Sequence, residues 1–226
     1  QDVRQWLGAT HAMARKLPAH TRRELKRLAV ELGAPGHVPV RAVHAVGAVA
    51  AEVVREAEAI DAALLVLGAR GAGFLRHLLL GTTSERLLQR TTRPLLVVRH
   101  PPHEPYRRVL LAVDFSPWSL RVVAVARHGA PHAHFVLMNA FQVPFEEKLR
   151  FAGVEADIVD HYRRSARTSA TRRVHALAKR AGLRTGQWQA PVLEGEAPTP
   201  ILQHERQQAC DPVVLGKHGQ PVAQGL

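Results

Sequence analysis

Four stretches of this chain carry residues whose types and spacing suit chemistry. The densest is Gly68-Ala69-Arg70-Gly71, followed nine residues later by Gly81-Thr82-Thr83-Ser84-Glu85. Glycine lets a backbone approach a ligand closely. The hydroxyls of Thr82, Thr83 and Ser84 suit the first turn of a helix, whose free N–H groups lie at its positive end. A strand, a glycine loop and a helix start in that order form an anion site, to which Arg70, Arg76 and His77 add positive potential. The competing reading is a plain strand-to-helix connection capped by hydroxyl residues. The pattern lacks the terminal Gly-Lys-Ser/Thr of a Walker A loop and is not the GxGxxG dinucleotide fingerprint. The second stretch, Leu111-Ala112-Val113-Asp114-Phe115-Ser116, places a carboxylate at the end of an apolar run. The third, Val214-Leu215-Gly216-Lys217-His218-Gly219, repeats the glycine pair of the first.

The fourth is histidine. There are 14, with His100 and His103 close together and His128, His132 and His134 in another group. Neither group has Cys or carboxylate partners at metal-ligand spacing, so no metal site is expected. No Gly-x-Ser-x-Gly elbow, HExxH or paired-carboxylate arrangement occurs. Whether the chain is an enzyme is left open. Slow ATP hydrolysis is the most these residues suggest, and no side chain nominates itself as a general base.

The elements that hold these residues alternate. Leu25, Leu28, Ala29 and Leu32 share a helical face, closed by Gly33-Ala34-Pro35-Gly36. Val38 to Val46 alternates as a strand, residues 48–60 are helical, and 62–67 form a short apolar strand. A helix over 82–89 and a strand over 94–98 follow. After Pro101-Pro102-His103-Glu104-Pro105, the strand 108–113 leads into a helix opened by Ser116-Pro117, a strand at 134–138, and a long helix over 154–181 ended by Gly182. Strand, helix and strand then run to Leu215. Strands alternating with helices make a parallel sheet covered on both faces.

The chain also repeats. Val66–Gly71 reads almost like Val214–Gly219, 148 residues on; Gly47 meets Gly195, and Val53-Val54 meets Ile201-Leu202 at the same offset. Duplicated domains fit this better than a short solenoid repeat. The expected units are 1–100 and 106–226. The first copy has no counterpart to the strand before Asp114, and the second has none to Gly81 or to the strand at 95–98. The expectation is that the full-length protein supplies both.

Taken together, Gly68-x-x-Gly71, nine residues, then Gly81-Thr82 resembles the nucleotide motif of the universal stress proteins. Asp114 resembles that family's first-strand aspartate, and Arg93-Pro94-Leu95-Leu96-Val97-Val98 its last strand. The resemblance covers nearly the whole chain, twice. It implies an α/β fold of two tandem, doubly wound parallel-sheet domains, Rossmann-like and similar to the adenine nucleotide alpha hydrolases. The short linker would pair them as a pseudo-dimer. It also implies ATP as ligand with Mg as its companion, contact of Asp114 with the adenosine part, homodimerisation through last strands, and a role in stress survival. On this reading Gly68, Arg70, Gly71, Gly81, Thr82, Thr83, Ser84, Asp114, Gly216 and Gly219 are the nucleotide-binding residues. Neither copy carries the whole motif. The alternative is therefore a degenerate, non-nucleotide-binding scaffold for protein interaction.

Composition narrows the partners. Lys and Arg number 31 against 19 acidic residues, a net charge of +12, which suits polyanions without choosing among them. No aromatic-interleaved basic strand that would stack bases is present, so nucleic acid is not the expected partner. The basic stretch Tyr162–Arg167 reads either as a solvated helix face or as a binding patch. No uncharged apolar run of about 18 residues exists, so no membrane span is expected. The single Cys210 reads as a small buried hydrophobe, and one cysteine suits a reducing, cytoplasmic setting.

Overall fold

The computed structural model describes residues 20–68, 82–98, 104–143, 151–152 and 154–216. The chain divides into two compact units, Gln1–Arg99 and His100–Leu226.

In the first unit residues 20–33 form helix α1. Helix α2 (Val49–Ala59), strand β1 (Leu65–Gly68), helix α3 (Thr82–Arg90) and strand β2 (Leu95–Val98) follow. β1 and β2 pair in parallel, with Leu65 opposite Leu95 and Gly68 opposite Val98. The strand expected over Val38–Val46 is not formed: the segment joins no ladder among the described residues. Its valines stay exposed, Val38 at 59% and Val46 at 84%. Alternation marks residues fit for a half-buried sheet, yet a strand exists only where a neighbour takes its N–H and C=O groups.

The second unit holds β3 (Arg108–Ala112), α4 (Pro117–Gly129), β4 (His134–Phe141), α5 (Ala156–Arg180), β5 (Trp188–Gln189), β6 (Val192–Glu194), α6 (Pro198–Gln207) and β7 (Val213–Leu215). β5 and β6 meet β4 in one register, Phe135 with Trp188 and Asn139 with Val192. They act as one strand interrupted at Ala190-Pro191, where proline has no N–H to give the ladder. Every pairing is parallel, in the order β5-β4-β3-β7 with β6 continuing beside β4.

β3 is covered on both faces, as its unbroken apolar run requires. Val109, Leu111 and Val113 pack with Val122, Val123 and Ala126 of α4 and Val174, Leu177 and Ala178 of α5. Leu110 turns to the other face with Val136, Met138 and Cys210. Cys210 is thus a core residue, as its sequence setting suggested, and burial pushes its thiol pKa up despite the nearby Arg108.

The repeat is visible in backbone geometry. α2 ends with Asp61 left-handed (φ 51°), and α6 ends with Ala209 left-handed (φ 46°), 148 residues later. Around both, the same pair of terminal bonds forms: Ala62 N–H to Ala57 O and Asp61 N–H to Glu58 O, against Cys210 N–H to Glu205 O and Ala209 N–H to Arg206 O. This is a Schellman ending. α5 closes the same way at Gly182 (φ 67°), the glycine expected to stop it.

Candidate functional site

Strands leave β3 first toward β4 and β5, then return across the sheet to β7 on the opposite side of β3. In a doubly wound sheet the crevice beyond the C-terminal ends of such a strand pair is where ligands bind. Ala112 pairs with Leu215, so Asp114 and Gly216 both lie just past the last paired residues of β3 and β7.

The turn after β3 is built around the Asp114 carboxylate. Its Oδ1 accepts the Ser116 backbone N–H at 3.0 Å and the Ser119 hydroxyl at 2.9 Å. Partial burial raises the carboxyl pKa, but the Ser116 and Ser119 hydrogen bonds outweigh it and hold the group below the usual carboxylate range. Between them Phe115 adopts φ 62°, left-handed and uncommon for a bulky residue, with the Arg173 guanidinium stacked 4.0 Å from its ring centre. Ser116-Pro117 does open α4, with proline in the first turn, but the Ser116 hydroxyl makes no capping bond. The expected side-chain cap is therefore not formed: the Ser119 N–H goes to the Ser116 carbonyl at 3.0 Å, and the Asp114 carboxylate instead takes the Ser116 N–H and the Ser119 hydroxyl.

From the β4 side, the side chain of Asn139, only 5% exposed, donates its Nδ2–H to the Val113 carbonyl at 2.7 Å. The Val113 N–H in turn reaches Met138 O at 2.9 Å. The residue before Asp114 is therefore held at both polar atoms. Sequence reasoning missed Asn139; the available signal was one amide side chain inside the apolar run His134–Phe141. Gly216 lies against α4. A Cβ there would sit 3.3 Å from Val122 Cγ2 and 3.6 Å from Trp118 Cβ, so this glycine also permits close strand-to-helix approach. An open groove of about 500 Å³ begins at Phe115 and Ser116 and runs between α4 and α5, flanked by Arg173 and Arg180.

In the first unit, Gly68 ends β1 and Thr82 starts α3, as expected. Thr83 is exposed, while Ser84 is buried at 5% beside the fully buried Leu87. Arg70, Gly71 and Gly81, with Arg76 and His77, lie outside the described residues, as does Gly219 of the second unit. The Gly68 loop and Asp114 belong to different units. Among the described residues no three His, Cys, Asp or Glu side chains converge to hold a metal ion, and no helix is long and apolar enough to cross a membrane.

Comparison with curated proteins found no match. Among solved structures, a universal stress protein from Archaeoglobus fulgidus DSM 4304 superposes with a TM-score of 0.63 at 18% identity, covering 89% of this chain and 66% of its own. A universal stress protein from Pseudomonas aeruginosa UCBPP-PA14 gives 0.61 at 18% identity, covering 88% and 68%. A protein of unknown function from Pseudomonas aeruginosa PAO1 gives 0.61 at 17%, covering 88% and 67%. The chain thus spans about two thirds of the length of each, and at these identities the likeness speaks for the fold. The model of the universal stress protein family matches twice, over residues 3–99 and 105–226. With two matches spanning nearly its whole length, the chain belongs to the universal stress protein family.

Proposed function

We propose that this chain is a nucleotide-responsive stress-response module that binds an adenine nucleotide, ATP with Mg as its companion, in a cytoplasmic setting. The observation that carries the reading is Asp114, kept as a carboxylate by Ser116 and Ser119 at the point where the strand order reverses. A fixed acceptor there suits the hydroxyl or amino donors of the adenosine part, with Gly216 and Gly219 leaving room for the phosphates. In the first unit, Gly68, Arg70, Gly71 and Gly81, with the helix start at Thr82 and Thr83, suit an anion. The buried Ser84 would contribute through its backbone N–H. Calorimetric titration with ATP and Mg tests the reading. Measurable binding that falls at least tenfold in Asp114→Ala supports it; binding unchanged by that substitution overturns it.

The alternative reading is a protein-interaction scaffold that binds no nucleotide. No change of melting temperature with ATP, ADP or AMP at millimolar concentration would select it.

A further inference from the structure

Helix α5 is basic well beyond what its fold requires. It carries seven Arg and Lys residues, and no Asp or Glu occurs from His161 to Leu193. At 100° per residue, Arg164, Thr168, Arg172, His175 and Lys179 fall within about 80° of one another and extend over about 22 Å of helix. All five are exposed. The face that packs on the sheet, through Ala170, Val174 and Leu177, points the other way. Arg163 is neutralised by Asp160 and Glu194. Among the described residues Arg164, Arg172 and Lys179 make no ion pair. No acidic residue stands three or four positions from Arg172 or Lys179 to pair with them.

The chemistry of the stripe selects its partner. A protein interface needs a desolvated apolar or aromatic centre, and the stripe has none. A membrane surface would need an apolar face to bury, and that face of α5 is already packed against the sheet. What remains is a regular line of cations dominated by arginine, whose fork matches phosphate oxygens. We propose that this face of α5 binds the phosphodiester backbone of duplex nucleic acid, without reading base sequence. The lack of stacking aromatics excludes base recognition but leaves phosphate contact open.

The test is fluorescence anisotropy of the 226-residue chain with a mixed-sequence 20-base-pair duplex between 50 and 200 mM salt. Each phosphate contact contributes about −0.9 to the slope of log K against log salt, so the three cations contribute about −2.7, or about 40-fold in affinity over that range. The variant Arg164→Gln/Arg172→Gln/Lys179→Gln is expected to lose that part of the slope. Arg22→Gln/Lys26→Gln/Arg86→Gln, which removes the same charge from the first unit, is expected to keep it. The stripe being solvent-exposed, its variant should retain the wild-type circular dichroism and melting temperature. Equal losses in both variants would reduce the effect to net charge and overturn the proposal. So would competition by polyglutamate as effective as that by an unlabelled duplex, or different affinities for two unrelated sequences. ATP titration of the same variant keeps this question apart from the nucleotide site, since the stripe lies on the side of α5 away from the sheet.

Discussion

Asp114 and Ser119 form the most closely defined polar pair at the switch point, and their chemistry predicts how stability follows pH. A carboxylate whose native pKa is depressed stabilises the fold above its unfolded value, about 3.9, and loses that contribution as pH falls through the lower native value. Asp114→Asn should therefore be less stable than wild type at pH 7, and the gap should close as pH falls below the ordinary carboxylate range. Urea denaturation at neutral and at acid pH measures this; a gap that persists at low pH would contradict it. Ser119→Ala removes one donor and should cost about 1 kcal/mol at pH 7 while raising the Asp114 pKa. Asn139 makes a sharper case because it is buried. Asn139→Leu leaves the Val113 carbonyl without its side-chain donor, which should cost about 1–3 kcal/mol. It should also weaken ATP, since the residue before Asp114 is then held at one polar atom only. An Asn139→Leu protein of wild-type stability and affinity would remove Asn139 from the site.

At the scale of elements, the helices and buried strands were legible because periodicity and burial agree. β3 is an apolar run covered by α4 and α5 on one face and by the Leu110 cluster on the other, and its sequence says both things at once. Val38–Val46 shows the limit: its alternation records a preference for a sheet surface, while the partner that would satisfy its backbone is a property of the fold. The break at Ala190-Pro191 divides what reads as one strand into β5 and β6. In the site, Asp114 and Gly216 were legible as strand-end residues, but the bond from Asn139 joins positions 26 residues apart and needed the register of β3 on β4. The Schellman endings were half legible. Gly182 announced one, whereas Asp61 and Ala209 hold left-handed backbone without glycine. That predicts an unusual response at an exposed site. Ala209→Val should cost about 1–2 kcal/mol, because a branched side chain is disfavoured in that conformation. Ala209→Gly should not. Comparable melting temperatures for the two variants would show that the left-handed turn carries no strain.

Across the whole molecule, the motif residues present in this sequence fall in both units. Gly68, Gly71, Gly81 and Thr82 of the first suit phosphate, and Asp114 of the second suits adenosine. Their contributions separate if ligands are chosen by chemistry. Adenosine carries no phosphate, so its binding should depend on Asp114 and be lost in Asp114→Ala while Gly71→Val leaves it intact. Tripolyphosphate carries no donor for a carboxylate, so its binding should show the opposite dependence. On the proposed reading, Gly71→Val would add a branched side chain where backbone is needed against the anion. ATP, holding both parts, should be weakened by either substitution and raise the melting temperature of the wild-type chain. Saturation at a hundred times the Kd corresponds to about 2.7 kcal/mol of added stability in the unit that binds. Stoichiometry from the same titrations reports whether one unit or both are occupied. If adenosine and tripolyphosphate both bind and a single substitution abolishes both, one unit holds the complete site and the division of labour is wrong. If neither binds, the carboxylate of Asp114 serves the turn after β3 alone, and the scaffold reading takes its place.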